Sequence, residues 1–250
     1  MMQNAKKPLV TDFHSHILPF MDDGSASIED SLEMLKLLRA QGVDRVVATP
    51  HFYPKQEDPE SFLQRRAQSA QMLRSAILFS GLDKSEIPEI YIGAEVAYFG
   101  GMSLYKNIGD LCIEGTSVML VEMPFSKWTD VVVSEVCRVK NELGIQVVLA
   151  HVDRYGHYYD FQKLFKLKTH RVIMQANADP FLRFIPCRRL LKMINMGMIG
   201  VLGSDFHNMT ERPSNMDEAM EIIRARGFGA KLDAMMNKAE DLLSEAKPLI

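Results

Sequence analysis

The sequence has little cysteine and no cysteine pair. Cys112, Cys137 and Cys187 stand alone among 250 residues, odd in number and without a CxxC spacing. That excludes a disulfide framework and a thiolate zinc ribbon, and it suits a reducing compartment. None of the three opens a Cys-x5-Arg phosphate loop, because Val118, Leu143 and Met193 stand six residues on. A covalent cysteine phosphatase is thereby excluded. No GxxxxGK[ST] segment is present either, which removes nucleotide hydrolysis of the P-loop kind.

Long hydrophobic runs are also missing. The most apolar stretches, Ser117 to Val121 and Ile145 to Ala150, fall far short of the ~20 residues of a membrane span. The start, MMQNAKKPLVTDFHSH, has lysines but no apolar core, so no secretory leader and no membrane insertion are expected, and a cytoplasmic location follows. Basic excess is absent as well. Lys and Arg total 29 against 32 Asp and Glu, a formal charge of −3, so no nucleic-acid partner is expected.

What is present is a chain rich enough in apolar residues (47%) to build one large core. Its length suits a single domain over 1–250 of the size of an α/β barrel. Seven near-continuously apolar runs have strand length: 8–13, 43–49, 89–93, 117–121, 145–150, 171–175 and 198–203. Parallel strands covered on both faces have this pattern. Helical patterns lie between them. Ser27 with Asp30, and Ser214 with Asp217, are spaced as capping boxes. Thr129 can cap a third helix, and Gly42, Gly81, Gly144, Gly197 and Gly227 mark helix ends.

The ends of these strands carry the chemistry. His14, His16, Asp23, His51, Glu95, Glu122, His151, Asp205 and His207 almost all sit just past an apolar run. Five of the seven histidines are among them, while His157 and His170 are expected to be bystanders. Taken singly each is an ordinary rim residue. His14-Ser15-His16 is the strongest pair, since alternate residues on extended backbone point the same way. Asp205-Phe206-His207 repeats that geometry, and either Asp22 or Asp23 can join. Six of seven strands contribute, which suits a closed ring with its site at the C-terminal rim better than an open sheet with one switch point. The expected fold is therefore a seven-stranded parallel (β/α)7 barrel with the site at its C-terminal rim.

Nine donors exceed the three or so protein ligands of one catalytic ion, so two or three divalent ions are expected. The mixed imidazole and carboxylate set suits Mn, Fe, Zn or Co. Asp12, beside the histidine pair, is either a support for a ligand imidazole or a strand-end cap.

The ordered motifs HSH, DDG, TPH, GAE, a strand ending VE, AHxxRY and SDFH, then Arg212-Pro213, resemble the polymerase-and-histidinol-phosphatase (PHP) superfamily. Within it, the chain is similar to bacterial manganese-dependent protein tyrosine phosphatases of capsule and exopolysaccharide synthesis. The resemblance runs from Thr11 to about Ala219. It implies a trinuclear site: one ion on His14, His16, Glu95 and Asp205; a second on Glu95, Glu122 and His151; a third on Asp23, His51 and His207. It implies that Arg154 and Arg212 hold the phosphate, and that metal-bound hydroxide attacks phosphorus with no cysteine intermediate. The implied partner is a phosphotyrosine protein, a bacterial tyrosine autokinase. Histidinol phosphatase, or another small-molecule phosphoesterase of the superfamily, is the alternative; a PHP nuclease and an amidohydrolase fit less well. Phe52, Tyr53, Tyr98, Phe99, Trp128 and Tyr155 are candidates to stack on a phosphotyrosine ring. The chain departs from the family at Ala178 to Phe184, which holds no glycine, and at Asn237-Lys238.

Overall fold

Strand and helix alternate through a computed structural model that describes residues 8–83, 85–158 and 160–250. The order is β1 (Thr11–Ser15), α1 (Ile28–Ala40), β2 (Arg45–Ala48), β3 (His51–Phe52), α2 (Pro59–Ser80), β4 (Glu89–Ile92), β5 (Glu95–Ala97) and β6 (Val118–Glu122). It continues with α3 (Asp130–Glu142), β7 (Gln146–Leu149), α4 (Phe161–Thr169), β8 (Ile173–Asn177), α5 (Phe184–Asn195), β9 (Ile199–Gly203), α6 (Met216–Ile223) and α7 (Gly229–Leu242). Every ladder is parallel.

Parallel α/β architecture is as expected, and among the described residues nine strands form two sheets, ordered β1-β2-β4 and β3-β5-β6-β7-β8-β9. The ladders do not close into one ring. Runs 43–49 and 89–93 hold β2 and β4, and past a two-residue break, Thr49-Pro50 and Gly93-Ala94, each is followed by a further short strand outside the run, β3 and β5. Pro50 has no N–H for the ladder. At the second break the buried Arg66 guanidinium donates to the Gly93 carbonyl at 3.1 Å. The segment at Ile113 and Glu114 then wedges between β4 and β6. Glu114 N donates to Ile92 O, and Ile113 N to Val118 O, both at 2.8 Å. This wedge comes from an irregular stretch, so no periodicity announces it.

Both faces of the strands are buried, with period two. Phe13, Val47, Tyr91, Leu120, Val148 and Val201, drawn from both sheets, meet in one inner cluster that α7 joins through Ala239 and Leu242. Their neighbours Val46, Ile90, Met119, Val147 and Leu202 pack outward with the helices. At the carboxyl end the two sheets meet again where β9 packs on β1, and Ser15 bridges to Phe206 just beyond β9.

Local signals hold for most helices. Ser27 caps α1 by accepting from Asp30 N, and Thr129 caps α3 by accepting from Val132 N. The second expected capping box is corrected. Asn215 occupies the cap of α6 with φ 51°, and the buried Ser214 hydroxyl has no partner among the described residues. Helix α4 is amphipathic, burying Leu164 and Leu167 while its lysines stay on the other face, and Asp160 caps it by accepting from Lys163 N.

Candidate metal centre

The strand breaks and strand ends aim nine side chains at one place. β3 begins at His51 and β5 begins at Glu95, and the register pairs these two residues directly. Glu122 closes β6 opposite Ala97. His151 and Asp205 leave their strands in the left-handed region, at φ 31° and 59°. Such backbone costs of order 1–3 kcal/mol per non-glycine residue and persists only where the surroundings fix it. Here His151 N donates to Gln175 Oε1 at 2.6 Å, and Asp205 N to His14 O at 2.8 Å. Gly203 allows the close packing of β9 on β1, because an added Cβ would lie 2.6 Å from His14 Cβ.

His14, His16, Glu95 and Asp205 form the tightest group, and all are buried. His14 Nε2 stands 3.2 Å from His16 Nε2, 3.2 Å from Glu95 Oε2 and 3.6 Å from Asp205 Oδ1. His16 Nε2 stands 3.5 and 3.4 Å from the same two carboxylate oxygens. A tetrahedron of ligands at ~2.0–2.1 Å from an ion has edges of ~3.3 Å, so these donors fit one cation. The other Glu95 oxygen, Oε1, is 2.8 Å from His151 Nε2, which is 3.4 Å from Glu122 Oε1. Glu95 thus presents one oxygen to each of two groups, as a bridging carboxylate does. A third group joins Asp23 Oδ1 to His207 Nε2 at 3.2 Å and to His51 Nε2 at 3.6 Å.

Glu95 Oε2 and His51 Nδ1, 2.8 Å apart, and the buried His151 Nδ1 and His207 Nε2 make no well-aligned hydrogen bond among the described residues. Such atoms are rare and destabilising in folded proteins, and cations at this cluster would satisfy several of them. The donor set therefore fits a multinuclear centre. His170 lies elsewhere, its Nδ1 2.8 Å from Asn141 Nδ2, and exposed His157 joins none of the candidate groups among the described residues.

Without ions, protons hold the charges together. Burial works against charging His16, but Asp22 beside it raises its pKa to about 10. Burial likewise opposes charge on His151, and hydrogen bonds to Glu122 and Glu95 lift it to about 9. Burial pushes Glu95 and Asp205 upward, yet the charge of His14 and further imidazole contacts keep both well below the usual carboxylate range. His207 goes the other way, down to about 3, from burial and the nearby His16 charge.

Asp22 supports the centre. Its Oδ2 is 2.7 Å from His16 Nδ1 and accepts from His51 N at 2.8 Å. Asp12 resolves as a strand-end cap: it accepts from Ser204 N at 2.7 Å, from the Ser204 hydroxyl at 2.5 Å and from His14 N. Burial raises its pKa to about 6 despite these bonds. Two supports escaped the motif reading. Gln175 Oε1 lies 3.2 Å from His14 Nδ1 and also accepts from His151 N. Asn177 Nδ2 donates to Asp205 Oδ2 at 3.0 Å and accepts from Gln175. Polar residues inside an apolar strand were the available signal.

Both arginines lean over Asp205. Arg212 Nη2 is 3.0 Å from each Asp205 oxygen, and its Nη1 is 3.2 Å from Asp23 Oδ2. Arg154 pairs with Asp205 Oδ2. The two line a cavity of about 160 Å³ together with Asn177 and with Asp179, Pro180 and Arg183 of the glycine-free loop. The expected stacking residues need correction. Phe52, Trp128 and Tyr155 are fully buried, and Tyr98 and Phe99 pack half-buried against the core. Tyr53 is half-buried, with its ring 5.0 Å from that of His51. Phe125, a residue the sequence did not single out, is half-exposed, its ring nearly parallel to His151.

Fold and site together define a class: a parallel α/β protein with a candidate multinuclear metal centre at the carboxyl ends of its strands. The family follows from comparison. A family model described as "Capsular polysaccharide synthesis, CpsB/CapC" matches residues 10–243, and the chain belongs to that family. Tyrosine-protein phosphatase YwqE of Bacillus subtilis (strain 168) is 26% identical over 247 residues, spanning 93% of this chain and 90% of the relative. A putative tyrosine-protein phosphatase CapC of Staphylococcus aureus is 24% identical, over 95% and 92%. A solved structure from work on YwqE of B. subtilis and CpsB of Streptococcus pneumoniae, described as unique metal-dependent tyrosine phosphatases, has the same fold. It superposes with a TM-score of 0.81 at 23% identity, covering 95% of this chain and 96% of that one.

Proposed function

We propose that this chain is a metal-dependent protein tyrosine phosphatase acting in the cytoplasm on a tyrosine autokinase of capsule or exopolysaccharide synthesis. The observation that carries the reading is the group of His14, His16, Glu95 and Asp205 at cation-ligand spacing, with two arginines directly above it. His14, His16, Asp23, His51, Glu95, Glu122, His151, Asp205 and His207 would hold two or three divalent ions, manganese by family. Such ions supply neutralising charge at phosphoryl oxygens and a water acidified towards ~7. Arg154 and Arg212 bind and orient. Their forks, engaged by Asp205 here, match the non-bridging oxygens of a phosphate. A phenolate leaving group, with a parent pKa of about 10, needs little help from an acid. The inner cluster shared by both sheets supports a distorted seven-stranded barrel with two interrupted strands, forming one domain over 1–250.

The test sets a phosphotyrosine peptide against histidinol phosphate on purified protein, with metal analysis, chelation and Mn add-back. Peptide hydrolysis is expected to vanish on chelation and return with Mn. Arg154→Lys and Arg212→Lys should each lower kcat/KM roughly a hundredfold by misplacing the phosphate, with metal content unchanged. Turnover that survives chelation, or that favours histidinol phosphate, overturns the reading.

A further inference from the structure

Phe125 is an exposed aromatic residue held in a fixed place. Half of its surface is open to solvent, although the loop carrying it is pinned from below. Met123 N donates to the Tyr155 hydroxyl at 2.9 Å, Trp128 Nε1 to Pro124 O at 3.1 Å and Trp128 N to Tyr158 O at 2.8 Å. The Phe125 ring lies 5.9 Å from His151 at an interplanar angle of 18°, 5.3 Å from Tyr155, and edge-on to Tyr158 at 6.1 Å. These contacts fix its orientation and leave the rest of the ring uncovered at the mouth, three residues after Glu122. Strand order β3-β5-β6 sets the loop of Tyr53 on one side of Glu95 and the loop of Phe125 on the other. Each ring stacks on a candidate ligand imidazole, Tyr53 on His51 and Phe125 on His151.

An exposed phenyl group gains nothing from water, whereas an aromatic partner gains both burial and an offset-stacked contact. A rigid platform also loses little conformational freedom when it binds. We infer that Phe125 is the specificity-determining platform on which the aromatic ring of an aryl phosphate lies, with Tyr53 bounding the opposite side. The inference rests on the phosphatase reading for its substrate, and it names the residue that separates aryl from alkyl esters.

The experiment uses Mn-loaded full-length protein and two peptides of one sequence carrying phosphotyrosine or phosphoserine. Phe125→Ala should lower the ratio of kcat/KM for the two peptides about tenfold, Phe125→Leu should recover little of it, and Phe125→Tyr should restore it. Calorimetry with phenylphosphonate and methylphosphonate, which are not hydrolysed, reads the same preference as a ratio of Kd values. That ratio should fall by a similar factor in Phe125→Ala. Thermal midpoint and metal content show whether the variants are folded. An unchanged ratio in folded Phe125→Ala overturns the platform, whatever happens to overall activity. If the wild type cleaves neither peptide, the phosphatase reading falls, and the phosphonate ratio alone then decides for or against the platform.

Discussion

The Nε2 atoms of His14 and His16 lie 3.2 Å apart, both turned toward Glu95 and Asp205. One intervening residue on extended backbone brings them together. Two imidazoles in this relation can hold one cation together, and in the ion-free protein protons on nearby rings carry positive charge instead. His16 and His151 hold theirs up to about pH 10 and 9. Divalent ions must displace these protons to bind.

The sign follows from linkage. An imidazolium whose folded pKa is raised stabilises the ion-free protein fully below its unfolded value of about 6.5, and that contribution is lost as pH rises towards 9–10. Ion-loaded protein carries no such protons and gains relative stability over the same range. The rise in Tm on adding Mn should therefore grow from pH 6.5 to pH 9. At one hundred times the Kd the stabilisation is ~2.7 kcal/mol, roughly 5–10 °C for a chain of this size. Differential scanning fluorimetry across pH, with calorimetry in two buffers to count released protons, checks this. A shift independent of pH contradicts it.

Asp22 and Asp23 are neighbours with different work. Asp22 touches His16 Nδ1 and His51 N, while Asp23 faces His51 and His207 from an exposed position. Asp22→Ala should weaken ion affinity about 10–100-fold by freeing the His16 ring, as loss of an outer partner usually does. Asp23→Ala should remove one ion from the count and leave the others bound tightly. Elemental analysis after dialysis against graded chelator separates the two outcomes; the same stoichiometry and affinity in both variants contradicts the assignment.

The cysteines should prove idle. Cys112, Cys137 and Cys187 are free and buried, and burial lifts all three thiols above their ordinary value, Cys112 to about 12. A raised pKa means less thiolate at any given pH, so alkylation should be slow at pH 8 and should still accelerate beyond pH 9. Iodoacetamide at pH 8 should leave hydrolysis of a phosphotyrosine peptide intact. Inactivation in step with modification of one cysteine, read by mass spectrometry, contradicts this.

Where the placement of candidate ligands is periodic or local, it is legible in the sequence. The histidine pair, the Asp-x-His pair and the single acids at strand ends converge as their positions in the apolar runs imply. What lay beyond the reading depends on contacts distant in sequence. Nothing near Gly93 announces that Arg66 takes its carbonyl, or that Ile113 and Glu114 fill the gap and split the sheet. The capping spacing at Ser214 was sound in itself, but Asn215 adopts a left-handed conformation and displaces the cap. Trp128 and Tyr155 look like surface aromatics by sequence position, yet they are the buried floor under Phe125, because packing assigns aromatic residues to core or mouth.

Gln175 is the clearest residue of this second kind, and its removal makes a sharp prediction. It is wholly buried in β8, one oxygen serving both the His14 ring and the backbone of left-handed His151, its amide donating to Asn177. Asn177 in turn holds Asp205. Gln175→Leu keeps the bulk and deletes every one of these bonds, leaving buried donors unpaired at a cost of ~1–3 kcal/mol each. Tm should fall by several degrees, ion affinity by about tenfold or more, and kcat/KM further still, because His14, His151 and Asp205 lose their fixed positions together. Gln175→Glu retains the acceptor for His14 and His151 while losing the donor to Asn177. It should recover part of the ion affinity and little of the stability, since it adds a buried charge. If Gln175→Leu lowers Tm but leaves ion affinity and kcat/KM unchanged, Gln175 is core packing and has no part in positioning the centre.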